Sequence, residues 1–120
     1  KLGVSGMPAI DVRQQCTGFI FGLSIVDQFI RNGIVKKALL VGSETHSKGL
    51  DLTTRGRDVS VLFGDGAGAL VLGAGEVSTT ADSQVFASVL HSDGAFADEL
   101  SVSAPGHAHL GERLNVGLLE

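Results

Sequence analysis

One residue with nucleophilic chemistry stands out in this sequence, because Cys16 is its only cysteine. A short strand is predicted at residues 9–12, and the apolar pattern that follows predicts a helix from residue 18. Unpaired N–H groups at the start of a helix carry partial positive charge, which favours the nucleophilic thiolate. A sharp turn between strand and helix also projects a side chain, as in other nucleophilic enzymes. The opposing interpretation is an inert core cysteine, which position alone favours because cysteine is among the most buried residue types.

A glycine-rich run at residues 64–68, Gly-Asp-Gly-Ala-Gly, is the second candidate. Such a run suggests dinucleotide binding only where a strand precedes it and a helix follows it. The residues that follow, 69–72, are instead strand-like, and the spacing lacks the last glycine of that motif. The competing interpretation is a tight loop between strands in which Asp65 fixes backbone N–H groups.

The remaining candidates are two arginines, an aromatic residue and four histidines. Arg55 and Arg57 precede Phe63 in a polar loop, where most arginines are solvated or paired with an acid and fewer bind an anionic ligand. Phe63 could be a core residue or could line a pocket. The histidines have no metal-ligand spacing, so we expect no metal site; they are His46, His91, His107 and His109.

The elements that must position these residues follow from hydrophobic periodicity. Apolar residues at helical spacing cover most of a helix over 18–32, which indicates burial in a larger core, with Gly18 and Gly22 allowing close backbone approach. Arg31 and Gly33 are favourable stop signals. The apolar run 38–41 predicts a strand covered on both faces, so residues 9–41 suggest a βαβ unit with a parallel strand pair. Further strands are predicted at 59–63, 69–72 and 85–90.

Composition excludes several classes of function. The net charge of -4, with no basic stripe, makes nucleic acid an improbable partner. No apolar run is long enough to span a membrane and no signal-peptide pattern begins the chain, so we expect a cytoplasmic protein. A single cysteine excludes an intramolecular disulfide and a cysteine-rich zinc site. The 17 glycines with only 2 prolines indicate tight turns and close backbone approaches within a folded protein.

Two long segments in the right order resemble a known family. Residues 8–33, PAIDVRQQCTGFIFGLSIVDQFIRNG, resemble the active-site cysteine segment of the β-ketoacyl-acyl carrier protein synthase III family. Residues 54–72, TRGRDVSVLFGDGAGALVL, resemble its second signature, and the intervening 39–44 also fits. Residues 91–94 are similar to the strand end before the acyl-pocket segment of that family. The resemblance is strong up to about Gly94 and weak beyond Pro105.

The resemblance implies an α/β thiolase-like fold, in which a mixed five-stranded sheet is flanked by helices. Residues 1–120 would form a single incomplete segment, holding most of the N-terminal half and the start of the acyl-pocket region. It also implies a homodimer that condenses an acyl-CoA with malonyl-acyl carrier protein and needs no cofactor. Cys16 would be the nucleophile, Arg57 would contact the adenine end of coenzyme A, and Leu62 and Phe63 would line the acyl channel.

The family's partner residues for the cysteine do not match here. Its catalytic histidine and asparagine lie in His-Gln-Ala-Asn-like and Asn-Thr-Ser-like motifs, and neither occurs in this sequence; Asn115 has other neighbours. We therefore expect an internal segment of a longer enzyme, one that cannot condense alone although Cys16 could still be acylated if the chain folds.

Other functions remain open at this point. A family member from secondary metabolism would transfer the acyl group to a different acceptor. A non-catalytic binding module built on the same half-fold would leave Cys16 an inert residue. A nucleotide-dependent enzyme would need a helix after Gly68.

Overall fold

The structure, a computed structural model, describes residues 3–76 and 83–101. Its elements are helix α1 (Gly18–Arg31), strand β1 (Lys37–Glu44), the short helix α2 (Arg57–Ser60) and strand β2 (Gly66–Gly73). Turns of 3-10 helix precede α1 and α2 and cover Gly94–Phe96. Predicted elements at 18–32, 38–41 and 69–72 are thus confirmed, but each strand has 8 residues where four were predicted, and β2 includes residues 66–68 of the predicted tight loop.

Helix α1 ends as its sequence predicts. Gly33 has a φ of 71°, a left-handed conformation that glycine adopts without penalty. The N–H of Gly33 donates to Ile30 O at 3.0 Å, and the N–H of Ile34 donates to Phe29 O at 2.8 Å. This is the Schellman pattern, which satisfies carbonyls that the helix would otherwise leave unpaired. Arg31 completes the last turn through an ion pair to Asp27 at 2.8 Å.

Two glycines bring α1 close to β1. A Cβ added to Gly22, the buried residue of α1, would lie 2.9 Å from Leu40 Cδ1 on β1. A Cβ added to Gly42 on β1 would lie 3.0 Å from Phe19 Cδ2 on α1. Each element therefore offers a glycine where the other presents a large apolar side chain, and the close approach expected at Gly22 is confirmed.

One face of β1 is partly covered by other residues, and the opposite face is exposed. Exposure alternates along the strand, so that Ala38, Leu40 and Gly42 are half-buried. On the other face, Leu39 is 47% exposed and Val41 is 56% exposed. The expectation that both faces are covered is therefore wrong for this chain, because the described residues place no element over the second face. No hydrophobic side chain in the described part of the chain is fully buried.

Strands β1 and β2 form a two-stranded sheet. Near one end, the N–H of Ala74 donates to Lys36 O at 3.2 Å, and near the other end His46 lies against Gly64. Because early residues of β1 meet late residues of β2, the strands run antiparallel. The nucleotide interpretation of residues 64–68 is wrong, since a strand and not a helix follows them.

Three other predicted strands are absent from the described residues. Residues 9–12 and 85–90 are not in strands, and the βαβ unit with a parallel pair is wrong because β1 pairs with β2 instead. A strand needs a neighbour for its backbone hydrogen bonds, and the described residues provide none at these two places. Residues 59–63 instead belong to α2 and the turn after it, where Val61 N–H donates to Arg57 O at 3.2 Å.

The described residues divide into two compact units. The first holds residues 3–42, 69–76 and 83–89, and the second holds residues 43–68 and 90–101. Within the first, Arg31 Nη2 donates to Val85 O at 2.9 Å and so ties residue 85 to the end of α1. Among residues 3–76 and 83–101, no helix is long and apolar enough to cross a membrane.

Candidate active site

Cys16 sits on a strained turn at the head of α1. The 3-10 turn Gln15–Thr17 runs directly into the helix, and the Cys16 side chain is exposed. Gln15 has a φ of 44°, the one positive value at a non-glycine position among the described residues. A left-handed residue of this kind costs about 1–2 kcal/mol, and such strain tends to occur at functional sites. The backbone thus turns sharply just before the thiol, and the thiol does not lie in a core.

Local hydrogen bonds hold this turn in place. The Thr17 hydroxyl donates to Gln14 O at 3.2 Å, and the Gly18 N–H donates to Gln15 O. The N–H of Cys16 belongs to the first turn of the helical segment, where N–H groups lack partners within the helix. Such a group can donate to an oxygen that becomes negative while a thiol adds to a carbonyl.

Arg57 begins α2 in the second unit, and an aspartate organises the loop before it. Asp51 Oδ1 accepts from the N–H of Thr53 at 3.0 Å and from its hydroxyl at 2.7 Å. Asp51 Oδ2 accepts from Arg55 Nε at 2.9 Å and Nη2 at 2.7 Å. The Thr53 hydroxyl and the Arg55 guanidinium hold the pKa of Asp51 well below its usual range. A Cβ added to Gly56 would overlap the Asp51 carbonyl, so the loop closes tightly on itself.

The two arginines therefore differ in their charge balance. Arg55 is neutralised by Asp51, whereas no ion pair in the described part of the chain involves Arg57, which is exposed. An unpaired, exposed guanidinium is available to an anionic or aromatic ligand group. Of the two arginines in this loop, Arg57 is thus the better placed for a ligand.

Phe63 and Leu62 follow α2 and differ in their surroundings. Phe63 is half-buried, and its ring centroid lies 4.9 Å from that of His46 at an interplanar angle of 45°. Leu62 is 67% exposed. Both are apolar residues on one short turn, and the Leu62 N–H donates to Val59 O at 3.0 Å. They could present an apolar surface to a ligand chain.

A second aspartate joins the loop after β1 to the loop before β2. Asp65 Oδ1 accepts from the Ser47 N–H at 2.8 Å, and Oδ2 accepts from the Ser47 hydroxyl at 2.5 Å. These two bonds, first that from the hydroxyl, lower the pKa of Asp65. Asp65 was predicted to fix backbone N–H groups within its own turn. It does accept from a backbone N–H, but that N–H belongs to Ser47 in the loop after β1.

Sequence reasoning missed the residues that hold these loops. The Asp-x-Thr-x-Arg spacing at 51–55 is a recognisable signal for an aspartate turn. No local signal pairs His46 and Ser47 with residues 64 and 65, because that contact depends on strand pairing. In the structure Arg57, Leu62 and Phe63 share the second unit, and Cys16 lies in the first. His107, His109 and Asn115 lie outside the described residues, within which no cluster of three or more metal-ligating side chains occurs.

Comparison with known proteins identifies the family of this chain. The family model described as 3-Oxoacyl-[acyl-carrier-protein (ACP)] synthase III matches residues 10–94. The chain belongs to this synthase III family. The matched range includes Cys16, Arg57, Leu62 and Phe63, so every predicted site residue falls in the family region.

Relatives and solved structures agree with this assignment. The chain is 44% identical over 105 residues to the β-ketoacyl-[acyl-carrier-protein] synthase III 1 of Vibrio vulnificus, covering 88% of this chain and 31% of the relative. It is 47% identical over 102 residues to the synthase III of Rhodospirillum centenum, covering 85% of this chain and 31% of the relative. The chain therefore spans about a third of the length of these relatives.

The fold is that of the solved synthase III structures. The crystal structure of the Aquifex aeolicus enzyme matches with a TM-score of 0.72 at 35% identity, covering 82% of this chain and 30% of that one. The Pseudomonas aeruginosa enzyme matches with a TM-score of 0.65 at 42% identity, covering 77% and 27%. The expected thiolase-like α/β fold is confirmed. The described residues supply part of it, namely two strands and the helices that accompany them.

Proposed function

We propose that this chain is part of an acyltransferase that condenses an acyl-CoA with malonyl-acyl carrier protein to begin fatty-acid synthesis. The single observation that carries the proposal is the exposed Cys16 on its strained turn at the head of α1. Membership of the synthase III family supports the same reaction. The enzyme works in the cytoplasm as a homodimer. It needs no cofactor, because a thiol and its neighbours suffice for acyl transfer.

The first step is a thioester exchange at Cys16. The Cys16 thiolate attacks the thioester carbonyl of acyl-CoA, and the Cys16 N–H donates to the developing oxyanion. The carbon–sulfur bond to coenzyme A then breaks, and coenzyme A leaves as a thiol after gaining the proton that Cys16 lost. The product is an acyl-cysteine, and neither oxidation nor reduction occurs.

The second step forms a carbon–carbon bond. The malonyl group on the carrier protein loses carbon dioxide, and the resulting carbanion attacks the acyl-cysteine carbonyl. The bond from that carbonyl to the Cys16 sulfur breaks, the Cys16 thiolate takes a proton from solvent, and a β-ketoacyl-carrier protein is released. The histidine and asparagine that stabilise the carbanion in the family have no matching motif among these 120 residues.

Three further residues bind the acyl-CoA. Arg57 contacts the adenine end of coenzyme A, which its exposure and lack of an ion pair within the described residues support. Leu62 and Phe63 contact the acyl chain, where burial of each CH₂ group contributes about 0.8 kcal/mol. Together they select and hold the substrate that Cys16 then attacks.

The proposal is tested in a full-length family enzyme that carries this 120-residue segment, called here the host enzyme. Incubation with acetyl-CoA and malonyl-acyl carrier protein should give the β-ketoacyl product, and Cys16→Ala should abolish it. Iodoacetamide should modify Cys16 rapidly at neutral pH. An unreactive thiol and no product would favour the non-catalytic binding module, and transfer to another acceptor would favour the variant from secondary metabolism.

A further inference from the structure

We infer that His46 is a positioning residue for Phe63 and thereby sets which acyl chains the enzyme accepts. The inference rests on the proposed function for the role of Phe63 but not for the contact itself. Two loops carry it: residues 45–47 follow β1, and residues 63–65 precede β2. Because the paired strands are antiparallel, these loops meet at the same end of the sheet.

The imidazole of His46 is held on three sides. Its Nδ1 donates to Gly64 O at 3.0 Å, since a carbonyl can only accept. Its Nε2 lies 3.2 Å from Glu44 Oε2, and its ring packs against Phe63 at 4.9 Å between centroids. The side chain is 33% exposed. A ring with contacts at both nitrogens and on a neighbouring aromatic residue has one preferred orientation.

The backbone beside Phe63 is fixed by a separate contact. Ser47 donates twice to the Asp65 carboxylate, at 2.8 Å from its N–H and 2.5 Å from its hydroxyl. The chain on the C-terminal side of Phe63 therefore keeps these two bonds when His46 and its bond to Gly64 O are lost. What His46 adds is a contact with the Phe63 ring, which limits the rotamers that Phe63 can adopt.

The consequence is a division of roles. The Ser47–Asp65 pair fixes the loop, and His46 fixes the ring within it. Without His46 the Phe63 ring can turn, and the apolar surface that it offers to an acyl chain changes shape. Loss of His46 should therefore alter the discrimination between acyl chains more than the rate of acyl transfer from the best substrate.

The experiment compares acetyl-, butyryl-, hexanoyl- and octanoyl-CoA in the host enzyme with His46→Ala, His46→Asn and His46→Phe. We expect His46→Ala to change the ratio of kcat/KM between best and poorest chains by about tenfold. His46→Phe, which keeps the ring contact, should restore part of the ratio, whereas His46→Asn, which keeps only a donor for Gly64, should not. His91→Ala, at an exposed histidine elsewhere, is the matched control and should keep the wild-type profile.

Two results would overturn the inference. One is an equal loss for all four chain lengths in His46→Ala, which would indicate a general structural role. The other is that His46→Ala still changes the kcat/KM ratio in an enzyme that already carries Phe63→Ala, because His46 would then act through a different residue. If His46→Ala fails to fold, His46→Asn, which also lacks the ring, gives the same comparison.

A readout without turnover separates this inference from the proposed function. A single 4-fluorophenylalanine at position 63 should give one sharp fluorine NMR signal in the wild type. In His46→Ala the signal should shift and broaden or split, and in His91→Ala it should not. An unchanged signal in His46→Ala would refute the positioning role even in an active enzyme. Failure of the proposed function would appear instead as the absence of acyl-cysteine in the wild type.

Discussion

At the scale of single residues, two aspartates build the loops that carry the substrate-binding candidates. Asp51 accepts four hydrogen bonds from Thr53 and Arg55 just before Arg57. Asp65 accepts two from Ser47 just after Phe63. Neither carboxylate is assigned to the chemistry. Each holds a loop in the conformation from which a neighbouring side chain can act.

Asp51 should influence the affinity for coenzyme A through Arg57. Asp51→Asn keeps an oxygen that accepts from Thr53 but loses the negative charge that neutralises Arg55. The Arg55 guanidinium then competes with Arg57 for the ligand, and the loop becomes looser. We expect KM for acetyl-CoA to rise up to about fivefold with a smaller change in kcat, and Asp51→Ala to have a larger effect. Steady-state kinetics of the host enzyme check this, with the exposed Asp98→Asn as the control. A fall in kcat with unchanged KM would contradict the role of Asp51.

Asp65 should make a pH-dependent contribution to stability. Its pKa is lowered by Ser47, so the folded state favours the carboxylate and its contribution is present above the ordinary aspartate pKa of about 4. The contribution is lost as the pH falls through the lowered pKa. At pH 7 the free energy of unfolding of the wild-type host enzyme should therefore be larger than that of Asp65→Asn. The difference between the two proteins should shrink below about pH 4. Urea unfolding at both pH values measures it, and a constant difference would contradict the assignment.

At the scale of elements, the contact between α1 and β1 fixes the helix that begins after Cys16. Gly22 faces Leu40, and Gly42 faces Phe19. A shift of α1 along or away from β1 would therefore move the turn that presents the thiol. The close contact is a means of positioning as well as a source of stability.

Enlarging Gly22 should displace α1, and shortening its neighbour should restore it. Gly22→Leu adds a side chain whose Cβ alone would lie 2.9 Å from Leu40 Cδ1, so we expect a loss of about 1–3 kcal/mol in the host enzyme. Leu40→Val in the same chain should recover part of that loss, which a double-mutant cycle detects. Independent, additive effects of the two substitutions would show that they are not in contact.

At the scale of the whole molecule, local signals predicted the helix and its end but not the sheet. The spacing of apolar residues and the pair Arg31 and Gly33 were enough for α1, because a helix is built from contacts three and four residues apart. The apolar pattern of residues 59–63 predicts a strand. In the structure this run begins within α2, which follows directly on the tight loop where Asp51 and Gly56 are in close contact. Strands at 9–12 and 85–90 were predicted from short patterns, and the described residues contain no partner for either.

The candidate site shows the same division. Cys16, Arg57, Leu62 and Phe63 were proposed from resemblance, and their roles stay predictions. Position alone favours an inert Cys16, because cysteine is among the most buried residue types, and the sequence pattern does not reveal the left-handed backbone at Gln15. The contacts of His46 and Ser47 join residues that are 18 apart in the chain, and they depend on the pairing of β1 with β2. Such contacts follow from tertiary structure and have no local pattern.

The exposed apolar residues also belong to this scale. Ile20 on α1 is 50% exposed, and Val41 and Val71 on the two strands are 56% and 75% exposed. The chain spans about a third of the length of the relatives it matches. For this reason the host enzyme is the proper setting for each measurement.

Peptide mass spectrometry of the host enzyme shows directly whether Cys16 carries the acyl group. The host enzyme is incubated with acetyl-CoA and digested, and the peptide containing Cys16 is examined before and after malonyl-acyl carrier protein is added. We predict an acetyl group on Cys16 that disappears when the carrier protein is added, and none in Cys16→Ala. An unmodified Cys16 peptide, or an acetyl group that malonyl-acyl carrier protein does not remove, would show that Cys16 is not the nucleophile of the condensation.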